Sequence, residues 1–221
     1  MTTWVEPEGG RERGPVGLAK SFTQVLVNPR TFFAEAVSPG DQAPGLAFAM
    51  AVVLVEETTR LALAPERALG FPAPTAVSVA LTVALAVLLV APAALHALSA
   101  VQTLVLAAVA PDRGGVSETV QVLAYASAPC AFVGVSAPAV TFVCGLWAFA
   151  LLVLGTRVVH DVSLPRAVLA AAAPGVLAYG SGFGWFAATA ALFPWTGEYM
   201  PWVEQSARTA LALAAGPAPG V

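Results

Sequence analysis

Apolar positions run along this chain in long uninterrupted blocks, and charged residues are confined to the gaps between them. Phe71 to Pro111 is 41 residues without Asp, Glu, Lys or Arg, Thr119 to Thr156 is 38, and Ala167 to Gly197 is 31. About 20 apolar residues suffice to cross a bilayer, whereas a soluble core helix rarely stays uncharged beyond about 14. Inside lipid every backbone group has to bond internally, so these blocks are predicted to be helices.

Ahead of the blocks, Leu18, Phe22, Val25 and Leu26 fall at i, i+4, i+7 and i+8, one stripe of a short helix. Asn28-Pro29-Arg30 breaks it and Thr31 to Glu35 restarts it, with Pro29 near the first turn. These two helices are expected to lie flat on the membrane, with Phe22, Phe32 and Phe33 dipped in and Lys20 and Arg30 at the headgroups. The first span is expected from about Ala43 to Ala64. Its apolar part, Pro44 to Val55, covers only about 18 Å, so the span is complete only if Glu56, Glu57 and Arg60 are included.

The second span starts near Pro74. The 41-residue block would be about 61 Å long as one helix. Either it breaks at Pro92 into two spans, or one span continues as an amphipathic extension. Polar residues at His96, Ser99, Gln102 and Thr103, with Leu98, Val101, Leu104 and Val105 on other faces, favour the extension, lying one-sided at an interface. The 38-residue block fits two spans, about 118–135 and 138–157, separated by Gly134-Val135-Ser136-Ala137-Pro138. The fifth span covers about 165–192, and Trp195, Tyr199 and Trp202 beyond it suggest an interfacial belt.

Composition agrees with this reading. Apolar residues make up 58% and charged residues 10%, against about 25% charged in soluble domains. The net charge of −3 gives no basic nucleic-acid surface. Met1 to Gly17 is polar and lacks an apolar signal core, so it reads as a disordered tail, as does Gly216 to Val221. Charge also orients the chain. With five spans and the N-terminus inside, seven Lys and Arg fall inside and three outside; six spans give five on each side. The positive-inside rule therefore selects five spans, with the N-terminus cytoplasmic and the C-terminus extracytoplasmic.

Candidate chemistry is sparse. Cys130 and Cys144 lie in apolar stretches and read as buried thiols. His96 and His160 are too isolated for a metal site, and no cofactor is implied. Glu56, Glu57 and Arg60 form the distinctive set: one Arg faces two acids at i−4 and i−3, leaving one net negative charge that could attract a cation or find His96. Intramembrane acids often mark an ion or proton path; an interfacial, paired trio that holds the first span in register is the plainer alternative. Arg157, His160 and Asp161 end the fourth span, with Asp161 in reach of Arg157, and Ser163 and Pro165 start the next helix. Gly180 and Gly184 allow either a close helix contact in a homo-oligomer or a kink.

Four stretches, in order, resemble the Yip domain family of Ypt/Rab-interacting membrane proteins, and its prokaryotic members in particular. They are Asn28 to Phe33, the long second helix ending in Asp112-Arg113-Gly114-Gly115, the segment Val122 to Pro129, and Gly145-Leu146-Trp147 followed by Gly155 and Ser163 to Ala167. The likeness covers roughly residues 20–192. Tyr125 and Pro129 correspond to the family's Gly-Tyr-x-x-x-Pro segment, with Ala124 in place of its Gly. The Asp-Leu-Tyr-Gly-Pro segment of eukaryotic members has no counterpart, so GTPase recruitment is not carried over. The resemblance implies five spans, the same orientation and a non-enzymatic role. In physical terms Pro129 frees the Tyr125 carbonyl and kinks the helix, and the Tyr125 hydroxyl needs a partner.

The expectation is an all-α polytopic membrane bundle. A tail over 1–17 precedes interfacial helices over 18–38, a five-span Yip-like domain over 39–193 and an extracytoplasmic tail over 194–221. It is a multi-pass protein of the cell membrane, acting as an interaction or membrane-organising scaffold, with the lipid bilayer and a cytoplasmic protein as partners. The docking candidates are Arg30, Phe32, Phe33, Arg113, Arg157, Asp161 and Arg166. A small transporter or ion-conducting protein using Glu56 and Glu57 is the alternative.

Overall fold

A computed structural model describes residues 14–110, 112–193 and Gln205. Among them every regular element is helical. In order these are α1 (Pro15–Val27), α2 (Pro29–Ala36), α3 (Ala43–Leu63), α4 (Thr75–Leu85), α5 (Ala91–Val109), α6 (Val116–Ala126), α7 (Pro138–Val159), α8 (Leu164–Gly175) and α9 (Trp185–Leu192). The expected tail over residues 1–13, the aromatic belt at Trp195, Tyr199 and Trp202, and Gly216 to Val221 lie outside the described residues. Helix α1 begins at Pro15, within the segment expected as tail.

Among the described residues two helices are long and apolar enough to cross a membrane: Thr75–Val109, which joins α4 and α5, and α7. A third is present if the bent pair Leu164–Gly182 and Trp185–Leu192 counts as one span. Pro92 does not break the long helix. A π-helical turn, Ala86–Val90, precedes it, and Ala91 N–H donates to the Ala86 carbonyl. The widened turn accommodates a residue that has no N–H to give.

The long helix is amphipathic in an inverted sense. Leu88 and Leu104 are 66% and 71% exposed, whereas Ser99 and Gln102 are fully buried. Gln102 Nε2 donates to Thr156 Oγ1 at 2.7 Å. The expected polar face at the headgroups is therefore corrected in part: Ser99 and Gln102 turn inward, where α5 packs on α6 and α8, Thr103 is half-buried, and His96 stays exposed. An apolar outside over a polar inside suits lipid, in which an unpaired amide costs most on the outer face.

At the centre is α6, continued by the 3₁₀ segment Ala128–Val135. It is buried on nearly every face, apolar from Val122 onward and polar at its start, where Ser117, Thr119 and Gln121 are buried too. Helices α3, α5 and α7 surround it. Pro129 does more than kink this element. The α-helix ends at Ala126, Ser127 Oγ donates to the Ala124 carbonyl at 2.7 Å, and the chain continues as 3₁₀. The break before α7 is at Ser136, whose φ of 59° reverses the chain.

The N-terminal helices are also corrected. Phe32 and Phe33 are 2% and 1% exposed, so they belong to the protein core rather than to lipid. Phe32 meets the Tyr125 ring edge-on at 4.9 Å. Phe33 lies over Gly155, where a methyl would stand 2.8 Å from its ring. Phe22, half-buried, stacks on Phe48 at 6.2 Å.

The fifth expected span is not one straight helix. It bends by 70° between Leu164–Gly182 and α9. Gly184, with φ 74°, makes the turn, and Trp185 holds it. The indole Nε1 donates to the Phe142 carbonyl at 3.0 Å, and the ring lies against Gly145. Gly180 faces its own chain's Phe186, and with Gly184 it forms a bend within the chain.

Helix α3 touches the central segment at two glycines. A methyl on Gly45 would sit 3.0 Å from Gln121 Cα, and one on Gly134 would sit 2.3 Å from the Glu56 carbonyl oxygen, a backbone atom that cannot rotate away. Gly134→Ala is therefore expected to cost about 1–3 kcal/mol and to lower the melting temperature of the detergent-solubilised protein. Gly70→Ala meets nothing within 4 Å and should stay within about 0.5 kcal/mol. Equal melting temperatures for the two variants would contradict this contact.

Candidate functional site

Late in α3, Glu56, Glu57 and Arg60 come together by helical spacing alone. Arg60 Nε lies 3.5 Å from Glu56 Oε1, and its second guanidinium nitrogen bonds the Glu57 carboxylate. Arg60 is partly exposed, whereas Glu56 is only 8% exposed. The trio sets two carboxyl groups against one guanidinium. His96 is not part of it. Its ring bonds the Pro92 carbonyl at 2.7 Å and Gln42 Oε1 at 3.2 Å, at the opposite end of α3. The expected encounter of His96 with the acids is therefore corrected.

Both acids line a cavity of about 210 Å³. One wall is the α3 face of Ala49, Val53, Glu56 and Glu57, and the others include Ser127 and Tyr179. The π-helical turn before α5 and a second, Val176–Gly182, both border it. Such turns often accompany functional sites, since they widen a helix and redirect side chains. Tyr179 is 2% exposed, and its hydroxyl makes no hydrogen bond among the described residues. Val90 and Leu177, both about half-exposed, put the cavity rim on the outer surface of the bundle.

Tyr125 stands apart from this cavity, enclosed by Phe32 and Phe48 with ring centroids 4.9 and 5.0 Å away. Its hydroxyl, expected to need a partner, has none among the described residues. Pro129 opens the 3₁₀ segment one turn further on.

A second polar group gathers where α6 begins. Gln121 Nε2 donates to the Ser38 carbonyl at 2.7 Å, its Oε1 accepts from Ser38 N–H at 3.2 Å, and Ser117 Oγ accepts from Gly40 N–H at 2.8 Å. These bonds fasten the α2–α3 loop to the central helix. Nothing in the periodicity marked Gln121 for this role, because a lone Gln in an apolar run carries no partner's address. Around the same end, Arg30, Arg157, Asp161 and Arg166 are exposed and Arg113 is half-buried. Asp161 takes φ 47°, which carries it off the helix, and it forms no ion pair with Arg157 among the described residues.

His160 closes this end of α7. It is 3% exposed, its Nε2 lies 3.4 Å from Thr119 Oγ1, and Gly114 leaves room for its Nδ1. Burial pushes the imidazole down from 6.5 to about 4; the Glu118 carboxylate opposes the shift and Arg113 reinforces it. The folded state thus keeps His160 neutral, while the unfolded chain takes up a proton near its ordinary pKa. The stability is fully present above pH 6.5 and is lost as pH falls toward 4, by up to roughly 3 kcal/mol. The melting temperature in detergent should fall across that window, and His160→Gln should flatten part of the fall. Parallel pH profiles for the two proteins would show that the imidazole is not buried in its neutral form.

A model of the Yip1 domain matches residues 23–186. No curated protein and no solved structure matches the chain. The matched stretch contains α3 to α8, the carboxylate cavity and most of the polar group where α6 begins, and it covers about three quarters of the sequence. The all-helical architecture, the membrane-length apolar helices and this match together establish that the chain is a membrane-associated protein belonging to the Yip1 domain family.

Proposed function

We propose that this protein crosses the membrane five times, N-terminus in the cytoplasm and C-terminus outside, and acts there as a non-enzymatic docking and membrane-organising scaffold. The crossings are α3, the α4–α5 helix, α6 with its 3₁₀ continuation, α7, and α8 with its π-helical extension. Several features support this count. Helix α3 has 21 residues, about 30 Å of rise. The central segment runs alongside it, with Gly134 against Glu56. The α4–α5 helix passes the start of α3 at His96 and continues beyond it.

The observation that carries the docking reading is the set of exposed arginines at the inner end. Arg30 on α2, Arg157 on α7 and Arg166 on α8 come from three elements, and none forms an ion pair among the described residues. Such a face suits an acidic protein surface or anionic headgroups. Phe32 and Phe33 support this face from beneath. Arg113 and Asp161 flank the same face.

The alternative is a small transporter. It draws on the cavity, which is bordered by broken helices and carries a buried acid; discontinuous helices build many midplane sites. The pairing of both acids with Arg60 favours a structural role instead.

Two experiments test these readings. In a Cys130→Ala/Cys144→Ala background, Ser163→Cys should react with an impermeant maleimide only after the cells are opened, and Glu66→Cys should react in intact cells. Labelling of both positions from one side would rule out the five-span arrangement. In the same background, Val53→Cys reacting from both aqueous sides would favour the transporter. For the scaffold, cross-linked capture from native membranes should yield partners that Arg30→Glu/Arg157→Glu/Arg166→Glu loses and Arg67→Glu keeps. Identical capture by all three proteins would overturn the docking reading.

A further inference from the structure

The cavity is graded in polarity along its length. On α3 the lining runs Ala49, Val53, Glu56, Glu57, so about 12 Å of helix axis passes from small apolar side chains to two carboxylates. On the facing wall Ala94, Leu95 and Leu98 continue the apolar end. Glu56 lies beside Gly134, close to the turn at Ser136 that leads into α7. The acidic end is therefore the end nearer that turn, and the apolar end reaches toward the middle of the bundle.

Two further observations bear on what the cavity takes. Arg60 is shared between Glu56 and Glu57, so the two carboxyl groups at the acidic end have a single cationic partner between them among the described residues. A net charge held out of water is costly until a counter-ion joins it. Tyr179, in the same wall, has a buried hydroxyl without a hydrogen bond. The whole cavity measures about 210 Å³; apolar cavities of about 150 Å³ take up an apolar guest, so the aliphatic part of this one suits an alkyl chain. Its rim at Val90 and Leu177 opens on the bundle's apolar outer surface, so a guest enters from the lipid phase.

We infer that this cavity binds a single-chain amphiphile with an ammonium head. The head sits at Glu56 and Glu57, and the chain lies between α3 and α5 against Val53, Ala94 and Leu98. The ammonium supplies the missing positive charge and has three N–H groups for the carboxylates and the Tyr179 hydroxyl. An anionic head is repelled, and a neutral head leaves the charge uncompensated. This site is independent of the docking face.

Decylamine, with decanol as its neutral counterpart, tests the assignment. Intact protein released from a neutral detergent is examined by native mass spectrometry, and binding is titrated by thermal shift. The expected result is one decylamine bound per chain, with affinity at least tenfold above that for decanol. Glu56→Gln/Glu57→Gln should remove that preference while leaving decanol binding as it was. Ala94→Phe, which fills the apolar end without changing charge, should weaken both ligands. Because Ala94 is exposed, this variant tests the cavity even if the acid double variant fails to fold. Equal binding of amine and alcohol to the wild type, an amine preference that survives the double variant, unchanged amine binding in Ala94→Phe, or no saturable binding would each overturn the inference.

Discussion

Backbone contact between α3 and the buried segment over residues 116–135 organises this fold, and two glycines make it possible. In lipid, burying apolar area between helices gains little, because the surrounding chains are as apolar as leucine. Close van der Waals packing therefore has to do what the hydrophobic effect does in a soluble core. Gly45 and Gly134 bring α3 against the central segment, and Gly155 does the same for the Phe33 ring on α7. The aromatic group of Phe32, Phe48 and Tyr125 then fills the remaining space edge to face, each such pair adding about 0.5–1.5 kcal/mol. Once those contacts are set, the late part of α3 has one orientation, and Glu56 and Glu57 face the space left beside α5.

Much of this was legible in the sequence because lipid imposes blunt rules. Charge-free blocks located the apolar helices, the Gly134–Pro138 stretch located the turn before α7, and helical spacing alone put Arg60 between two acids. The order of the Asn28–Phe33, Tyr125–Pro129 and Gly145–Trp147 segments pointed to the family. What stayed hidden shares one physical cause. An apolar residue reads the same whether it faces lipid, a neighbouring helix or a cavity. Phe32 and Phe33 therefore looked like membrane anchors, although Tyr125 and Gly155 respectively offered them a place in the core. Polar residues on α5 looked like a wet face, although Ser99 and Gln102 are buried and Gln102 has its partner, Thr156, on α7.

The cavity was invisible for a related reason. Its apolar wall reads as an ordinary helix face, and its shape depends on π-helical turns that composition does not announce. Pro92 was the available signal, and it was weighed only as a break. It is instead accommodated by a widened turn nearby, as is Pro174 inside α8, so the helices continue while their faces rotate. The bend at Gly184 was half legible: the Gly180–Gly184 spacing allowed either a helix contact or a kink, and the indole of Trp185 on Gly145 decides for the kink.

The bond between Gln102 and Thr156 also bears on how the molecule is made. The two residues are 54 positions apart, and a ribosome adding about 5–20 residues per second takes roughly 3–11 seconds to cover that distance. For those seconds the amide has been synthesised and its acceptor has not. The α4–α5 helix therefore satisfies that buried amide only once α7 has been made and supplies Thr156, so these two apolar helices reach their final packing together, however early the first of them is complete.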